Sequence, residues 1–321
     1  MKPSFRSLFV RSTAALFLAS STVAQETYHG DFWKLLQDLS IEFKIFTDSN
    51  GESSPGISYD IERSVIEGRV DLEFMARGNV AFERDFNPVD FLETRLSVAY
   101  DGSHELSEPQ GTGTDPNDLE LIAGDLLHFN LALQAGLESN QSFTEKQYTY
   151  GASLDAWAKI SERKTVWWNV FDYPAAALRA LSGYEDEGFQ PVQGFFPKAS
   201  YGLPAISLGI DQVNVDENDP RAAAGDTSDF ARFRFEASMR SPVMILGDEE
   251  IFLSADYRLF RELGASDAIE AADLDSFDFA GLALFDARGF FVRYTTGMLP
   301  FDNEDAQAYE LGWSFNGGAF L

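Results

Sequence analysis

From Ile66 to Phe82 the chain holds a strict two-residue alternation for longer than a soluble strand has reason to. Ile66, Gly68, Val70, Leu72, Phe74, Ala76, Gly78, Val80 and Phe82 fall on one face. Glu67, Arg69, Asp71, Glu73, Met75, Arg77, Asn79 and Ala81 fall on the other. Successive side chains of a strand point to opposite sides, so this pattern defines a ribbon with one apolar and one polar surface. Strands of soluble proteins average about 5–6 residues, whereas a tilted strand crossing a bilayer needs about 9–11. The segment is long enough to cross a membrane and project beyond it.

The alternation recurs at 92–100, 127–135, 147–159, 231–239, 251–259, 290–294 and 309–315, with less regular stretches at 41–47, 164–171, 203–213 and 276–286. Together these make about twelve strands, in keeping with the even numbers of bacterial membrane barrels. If both termini are periplasmic, connections alternate between short inner turns and long outer loops. Segments 85–90, 139–145, 241–249 and 287–289 are then expected inside, and 48–65, 102–118, 214–228 and 262–275 outside. Segment 172–202 is long yet falls inside. Two short helices are expected. One lies near 31–39, where Phe32, Leu35, Leu36 and Leu39 keep helical spacing; the other lies near 174–182, with Asp172 as N-cap, Pro174 in the first turn and Gly183 as terminator.

No run of apolar residues is long enough for a spanning helix, so a membrane location requires a closed barrel, in which every backbone group is paired between strands. The N-terminus reads as an address. Lys2, Arg6 and Arg11 lead into an apolar run from Thr13 to Ala19, and small residues follow up to Ala24. This is the layout of a secretory signal peptide cleaved after Ala24. The expected organisation is a leader over 1–24, an N-terminal periplasmic segment over 25–40 and a barrel over 41–321. Cysteine is absent, which excludes disulfides, thiolate metal sites and a thiol nucleophile. A net charge of −28 repels phosphate backbones and argues against nucleic-acid binding.

A soluble sheet turns its apolar face into a core, whereas a membrane barrel turns that face to lipid and its polar face to the lumen. Strand length, the leader and aromatics near strand ends (Phe91, Tyr100, Tyr148, Tyr257 and Phe315) favour the second arrangement. The lumen is then expected to carry Glu67, Arg69, Asp71, Glu73, Arg77, Glu93, Arg95, Arg232, Arg234, Glu236, Asp256, Arg258 and Arg293, either lining a pore or forming an ion-pair ladder that braces the wall. The closing segment Tyr309-Glu-Leu-Gly-Trp-Ser-Phe315 resembles the aromatic last strand of bacterial outer-membrane β-barrel proteins, small porin-like barrels included. That resemblance implies an all-β, transmembrane, antiparallel up-and-down barrel in the outer membrane, in contact with its lipids. It also implies recognition by the barrel-assembly machinery through the last strand.

Candidate chemistry is sparse. His104 beside Ser103, or His128, would have to act as base for a lipid- or lipopolysaccharide-modifying enzyme, but adjacency in sequence is not a triad. The acidic residues Asp211, Asp216, Glu217, Asp219 and Asp226 lack the spacing of a recognised calcium loop and read as solvated. No cofactor or metal site is expected. The function expected first is a narrow porin-like channel for ions or small polar solutes, with cations favoured at the mouth. The alternatives are the enzyme and a structural barrel plugged by the segment around Pro174 to Gly183.

Overall fold

The computed structural model describes residues 39–48, 50–66, 70–83, 87–105, 110–112, 120–122, 126–159, 170–183, 203–247, 249–286, 288–302 and 306–316. The leader over 1–24 and the helix near 31–39 lie outside these residues, apart from Leu39, which opens the first strand. In chain order the strands are β1 (Leu39–Asp48), β2 (Ser53–Ile66), β3 (Val70–Ala81), β4 (Leu92–Glu105), β5 (Gln110–Thr112), β6 (Glu120–Ile122), β7 (Leu126–Ser139), β8 (Lys146–Lys159), β9 (Ala205–Glu217), β10 (Phe230–Leu246), β11 (Glu249–Leu263), β12 (Ser276–Asp286), β13 (Phe290–Gly297) and β14 (Ala306–Asn316). The helices are α1 (Tyr173–Ser182), α2 (Asp219–Ala224) and α3 (Asp267–Ala271).

Twelve of the strands form one closed antiparallel barrel in sequential order, and β5 and β6 pair with each other apart from it. Closure is made by β1 against β14, in register from Ser40 opposite Asn316 to Asp48 opposite Ala308. The alternation places apolar residues outside, where Leu133 is 70 % exposed and Leu311 60 %. Phe43, Ile45, Val98, Leu131, Ile210, Leu282 and Val292 share that outer surface. The inner face is polar and buried: Lys44, Asp71, Glu93, Asn130, Gln134, Glu138, Asp211, Arg232, Arg234 and Glu310 are all shielded from solvent.

The expected count of twelve is met with one exchange. Strand β2 stands where an outer loop over 48–65 was expected; Pro55, Gly56 and a run of serines blur its alternation. The strand expected over 164–171 lies outside the described residues except for its last two positions. Strand β8 pairs directly with β9, and the described end of that stretch, Val170 to Asp172, is a turn of 3₁₀ helix. The two differences offset each other beyond residue 172, so 214–228, 241–249, 262–275 and 287–289 lie at the expected ends. Before it they do not. The connections over 82–91 and 140–145 lie at the end away from the termini, and that from β4 to β7 lies at the terminus end.

Turns at both ends are set by side chains that accept from the backbone. Asp48 Oδ1 accepts from Asn50 and Glu52 N–H at 2.9 and 2.8 Å. Asn140 Oδ1 accepts from Thr144 and Glu145, and Asp286 Oδ1 from Arg288 and Phe290. Asx residues favour such turns because their short side chains mimic a backbone acceptor. At the end of β13, Gly297 has φ +105°, and a Cβ there would stand 2.1 Å from the Asp278 carbonyl oxygen. Replacing Gly297 with Ala is expected to destabilise the β12–β13 junction by about 1–3 kcal/mol. A lower temperature for loss of the compact, fast-migrating form on heat-modifiable gels checks this.

Candidate functional site

The lumen is crossed by charge. Arg77 on β3 donates from both terminal nitrogens to Glu236 on β10, each bond 2.8 Å, although the two strands stand on different sides of the barrel. Arg77 Nε also donates to Glu93 at 2.8 Å, and Glu93 is paired with Arg95. Arg234 adds a 3.0 Å bond to Glu236, and Arg258 stands opposite Glu236 in register. A bidentate guanidinium–carboxylate pair is geometrically specific, and in a site shielded from water it is worth more than on a surface.

Towards the end away from the termini, Arg232 makes a bidentate pair with Glu138 of β7 at 2.8 and 2.6 Å and a third bond to Asp211 at 3.2 Å. Gln134 and Gln147 supply donors to Asp211 and Glu138. On the opposite wall Arg293 of β13 is bidentate to Glu42 of β1, both bonds 2.9 Å, while Lys44 donates to Glu310 and to Asn79 at 2.9 Å each. Small residues make room for these side chains. A Cβ on Gly209 would meet the Arg234 guanidinium at 2.9 Å, and one on Gly281 would meet Asp256 at 2.5 Å.

Of the thirteen residues expected in the lumen, Glu67 and Arg69 lie outside the described residues. Arg77, Glu93, Arg95, Arg232, Arg234, Glu236 and Arg293 enter the ion pairs just described. Asp256 and Arg258 occupy the inner face of β11. Asp71 and Glu73 stand near the terminus end, where their carboxylates and that of Asp101 lie within 4.8 Å of one another and Asn130 donates to Glu73 at 3.1 Å.

Several partners escaped the sequence reading. Glu42, Lys44, Glu138 and Glu310 alternate correctly, but nothing in sequence says which charges meet across a lumen. Asp211 corrects the expectation of a solvated acidic loop: it is a buried inner residue of β9, bonded to Gln134 and Arg232.

The mouth away from the termini is closed by an apolar cluster. Val89 and Phe91 from the connection between β3 and β4, and Leu299 and Phe301 from that between β13 and β14, pack on the inner-face residues Phe260 and Phe279. Phe91 therefore is not the girdle residue its place near a strand end implied; it is 2 % exposed and stacks on Phe301 at 6.1 Å. The Arg232 guanidinium lies 4.8 Å from the Phe260 ring, joining the cluster to the ion pairs below.

Hydrogen bonds staple the loops over this mouth. Asp302 accepts from the Asp90 N–H at 2.6 Å and the Leu299 N–H at 2.7 Å. Asp90 accepts from Gln141 N–H, and the Gln141 amide pairs with both backbone groups of Ala81. Arg221 of α2 donates to Glu262 at 2.7 Å, and Ser266 donates to Asp226 at 2.7 Å, so the other loops join in. Burial pushes the Asp302 carboxyl up to about 7, the two backbone donors opposing and the negative Asp90 adding to the rise. Asp90 is raised by its own burial.

The expected plug over 174–183 corrects itself on position. Helix α1 forms over Tyr173–Ser182 and ends at left-handed Gly183, as the sequence implied, but it packs on the outside of the wall against Val243 and Leu253. Asp172 sits at the N-cap position without capping; its carboxylate instead binds Arg179 and Ser241. His104 is an exposed residue of β4, not of a loop, and His128 stacks on Trp157 with centroids 5.3 Å apart. Among the described residues no hydrogen bond joins a serine to a histidine.

No family model matches the sequence, and no curated protein matches it. Among solved structures the chain is similar to the KdgM porin in complex with disordered oligogalacturonate, at 9 % identity and TM-score 0.32, covering 86 % of this chain and 98 % of that one. It is also similar to the outer membrane channel DcaP of Acinetobacter baumannii, at 8 % identity and TM-score 0.29, covering 86 % and 95 %. A loop-deletion mutant of OmpT, an outer membrane protein of Vibrio cholerae, follows at 8 % identity and TM-score 0.26, covering 86 % and 97 %. Likeness at this level adds nothing to the barrel read directly from its strand pairing.

Two outcomes are expected. Glu236→Gln removes one charge from the Arg77 pair while Glu93 remains, so its cost lies at the low end of the ~3–5 kcal/mol for breaking a buried pair. A lower urea midpoint at unchanged slope checks it. The Asp302 carboxyl holds its proton more tightly docked than free. Docking of the loops is therefore fully supported below the ordinary carboxylate value of 3.8, weakens as pH rises towards about 7, and levels off above. Proteolysis of the 82–91 and 298–305 connections is expected to quicken from about pH 4 to about pH 7 in the native chain and to show a flatter dependence in Asp302→Asn.

Proposed function

We propose that the chain is an outer-membrane β-barrel acting as a narrow, gated, porin-like channel for ions or small polar solutes, with cations preferred. One observation carries the reading: a closed barrel whose wall is apolar outside and charged inside. Water does not stabilise an unbroken belt of exposed Leu, Ile, Val and Phe, and patches of that size mark a membrane or partner surface. The secretory leader expected over 1–24 supports delivery to the outer membrane, and the aromatic last strand over 309–315 supports recognition by the assembly machinery.

Two barriers lie along the path. The Arg77–Glu236 pair spans the bore, and the Phe91–Phe260–Phe301 cluster seals the far mouth. A barrel of twelve strands lies between those filled by side chains and the open channels of 16–18 strands. Conduction through it therefore requires the mouth loops to move. The same two barriers favour a second reading, a permanently closed structural barrel. The net charge of −28, together with the acidic trio at the terminus-end mouth, supports cation preference.

Planar-bilayer recording separates these readings. The native chain is expected to show brief, small, cation-selective openings, and Phe91→Ala combined with Phe301→Ala is expected to raise the time spent open. Silence from both proteins, each confirmed as folded by heat-modifiable mobility, would leave the structural barrel as the function.

A further inference from the structure

Helix α1 turns apolar residues outward as well as inward. A surface helix ordinarily buries its apolar stripe and turns polar residues outward. Here Tyr173, Ala177 and Leu181, spaced by four and so on one face, point away from the protein together with Ala180. Leu181 is 85 % exposed and Tyr173 48 %. Phe171, just before the helix, is exposed as well. The polar residues turn the other way. Arg179 donates to Asp172, to Ser241 Oγ at 2.8 Å and to the Pro242 carbonyl at 2.9 Å, and Ser182 Oγ lies 2.9 Å from the Val243 carbonyl.

The place it covers explains this arrangement. Strand β10 carries a register shift between Pro242 and Met244, where its ladder with β11 slips by one residue. Ser241 pairs with Leu253, which in turn pairs with the exposed outer residue Leu284, so the slip opens onto the outer surface. A bulge disrupts the ladder locally, and hydrocarbon offers no water to a backbone carbonyl exposed there; the Pro242 and Val243 carbonyls at the slip accept from α1. Arg179 and Ser182 supply those donors. Ala175 and Leu178 complete the contact with Val243 and Leu253.

We propose that α1 is a lipid-facing cover over this bulge, its outer face seated at the phospholipid headgroup–acyl boundary on the terminus side of the membrane. Its apolar face is continuous with the belt through Met244, packed against the same cluster, and Leu246, exposed on the outer side of the strand it covers. The Asp172–Arg179 pair stays on the protein side, neutralised and hydrogen-bonded, which is how charge is tolerated at that depth. An amphipathic segment lying in the plane of the interface buries its apolar face at this level. The proposal rests on the membrane reading of the barrel.

The absence of cysteine allows single-site labelling. Leu181→Cys, the belt variant Leu131→Cys and the loop variant Asp267→Cys would each carry a bimane probe. Each is reconstituted in phosphatidylethanolamine–phosphatidylglycerol vesicles containing phospholipid brominated on the acyl chains near the headgroup. All three positions lie at the exposed surface, and heat-modifiable mobility confirms folding. Asp267→Cys sets the baseline in water. The expected result is loss of emission at Leu181 that grows with the brominated fraction, as it does at Leu131. Quenching at Leu131 with none at Leu181 overturns the cover and leaves the membrane barrel standing. Quenching at neither position overturns both.

Discussion

The structure depends on the closure of β1 onto β14. A single sheet this long would leave two rows of unpaired backbone groups, a cost that hydrocarbon makes prohibitive and that only a ring of strands removes. Closure also creates an inside. Once the ring is formed, the polar half of every alternating strand faces other polar halves rather than water, and each charge must find an opposite. The apolar belt outside and the ion pairs inside are thus two results of one geometric event.

Inside, some pairs are neighbours along the wall, such as Arg77 with Glu93 and Lys44 with Glu310, while others reach further. Arg77 with Glu236, Arg232 with Glu138 and Arg293 with Glu42 each join strands that do not touch in the sheet. Arg77 with Glu236 acts as a strut across the bore, whereas Arg293 with Glu42 reaches over the single intervening strand. Above them the aromatic mouth makes a second seal of different chemistry, held by loop hydrogen bonds instead of charge. Along the barrel an apolar cluster is thus followed by a layer of charge. The first is carried by connections and the second by strands.

Much of this was legible because alternation has a period of two and survives without any tertiary information. The orientation of Leu72, Phe74, Leu131 and Phe233 outward, and of the charges opposite them inward, follows from that period alone. Strand β2 was lost for a local reason: Pro55, Gly56 and the serines around them carry little hydrophobic contrast, and pairing with β1 and β3 supplies what propensity lacks. Of the strand expected over 164–171 only the end is described, and there Val170 to Asp172 forms a 3₁₀ turn leading into α1. The partners across the lumen were illegible in principle. Which Arg meets which Glu is decided by strand order and register, and no spacing along the chain encodes it. The position of α1 was equally hidden, because an alanine-rich helix with apolar residues on its rim suits a plug and a cover alike.

The long-range pairs have a consequence for how the barrel comes to exist. Arg293 and Glu42 are 251 residues apart in the chain, and Arg77 and Glu236 are 159 apart. Neither pair can form while the sheet is still an open, curling sheet, so a half-built intermediate carries uncompensated arginines and glutamates along its concave side. Such a species is repelled by acyl chains and poorly served by partial zippering. Closure of β14 onto β1 completes these two pairs together, which sets their contribution at the last step of assembly and at the first step of opening.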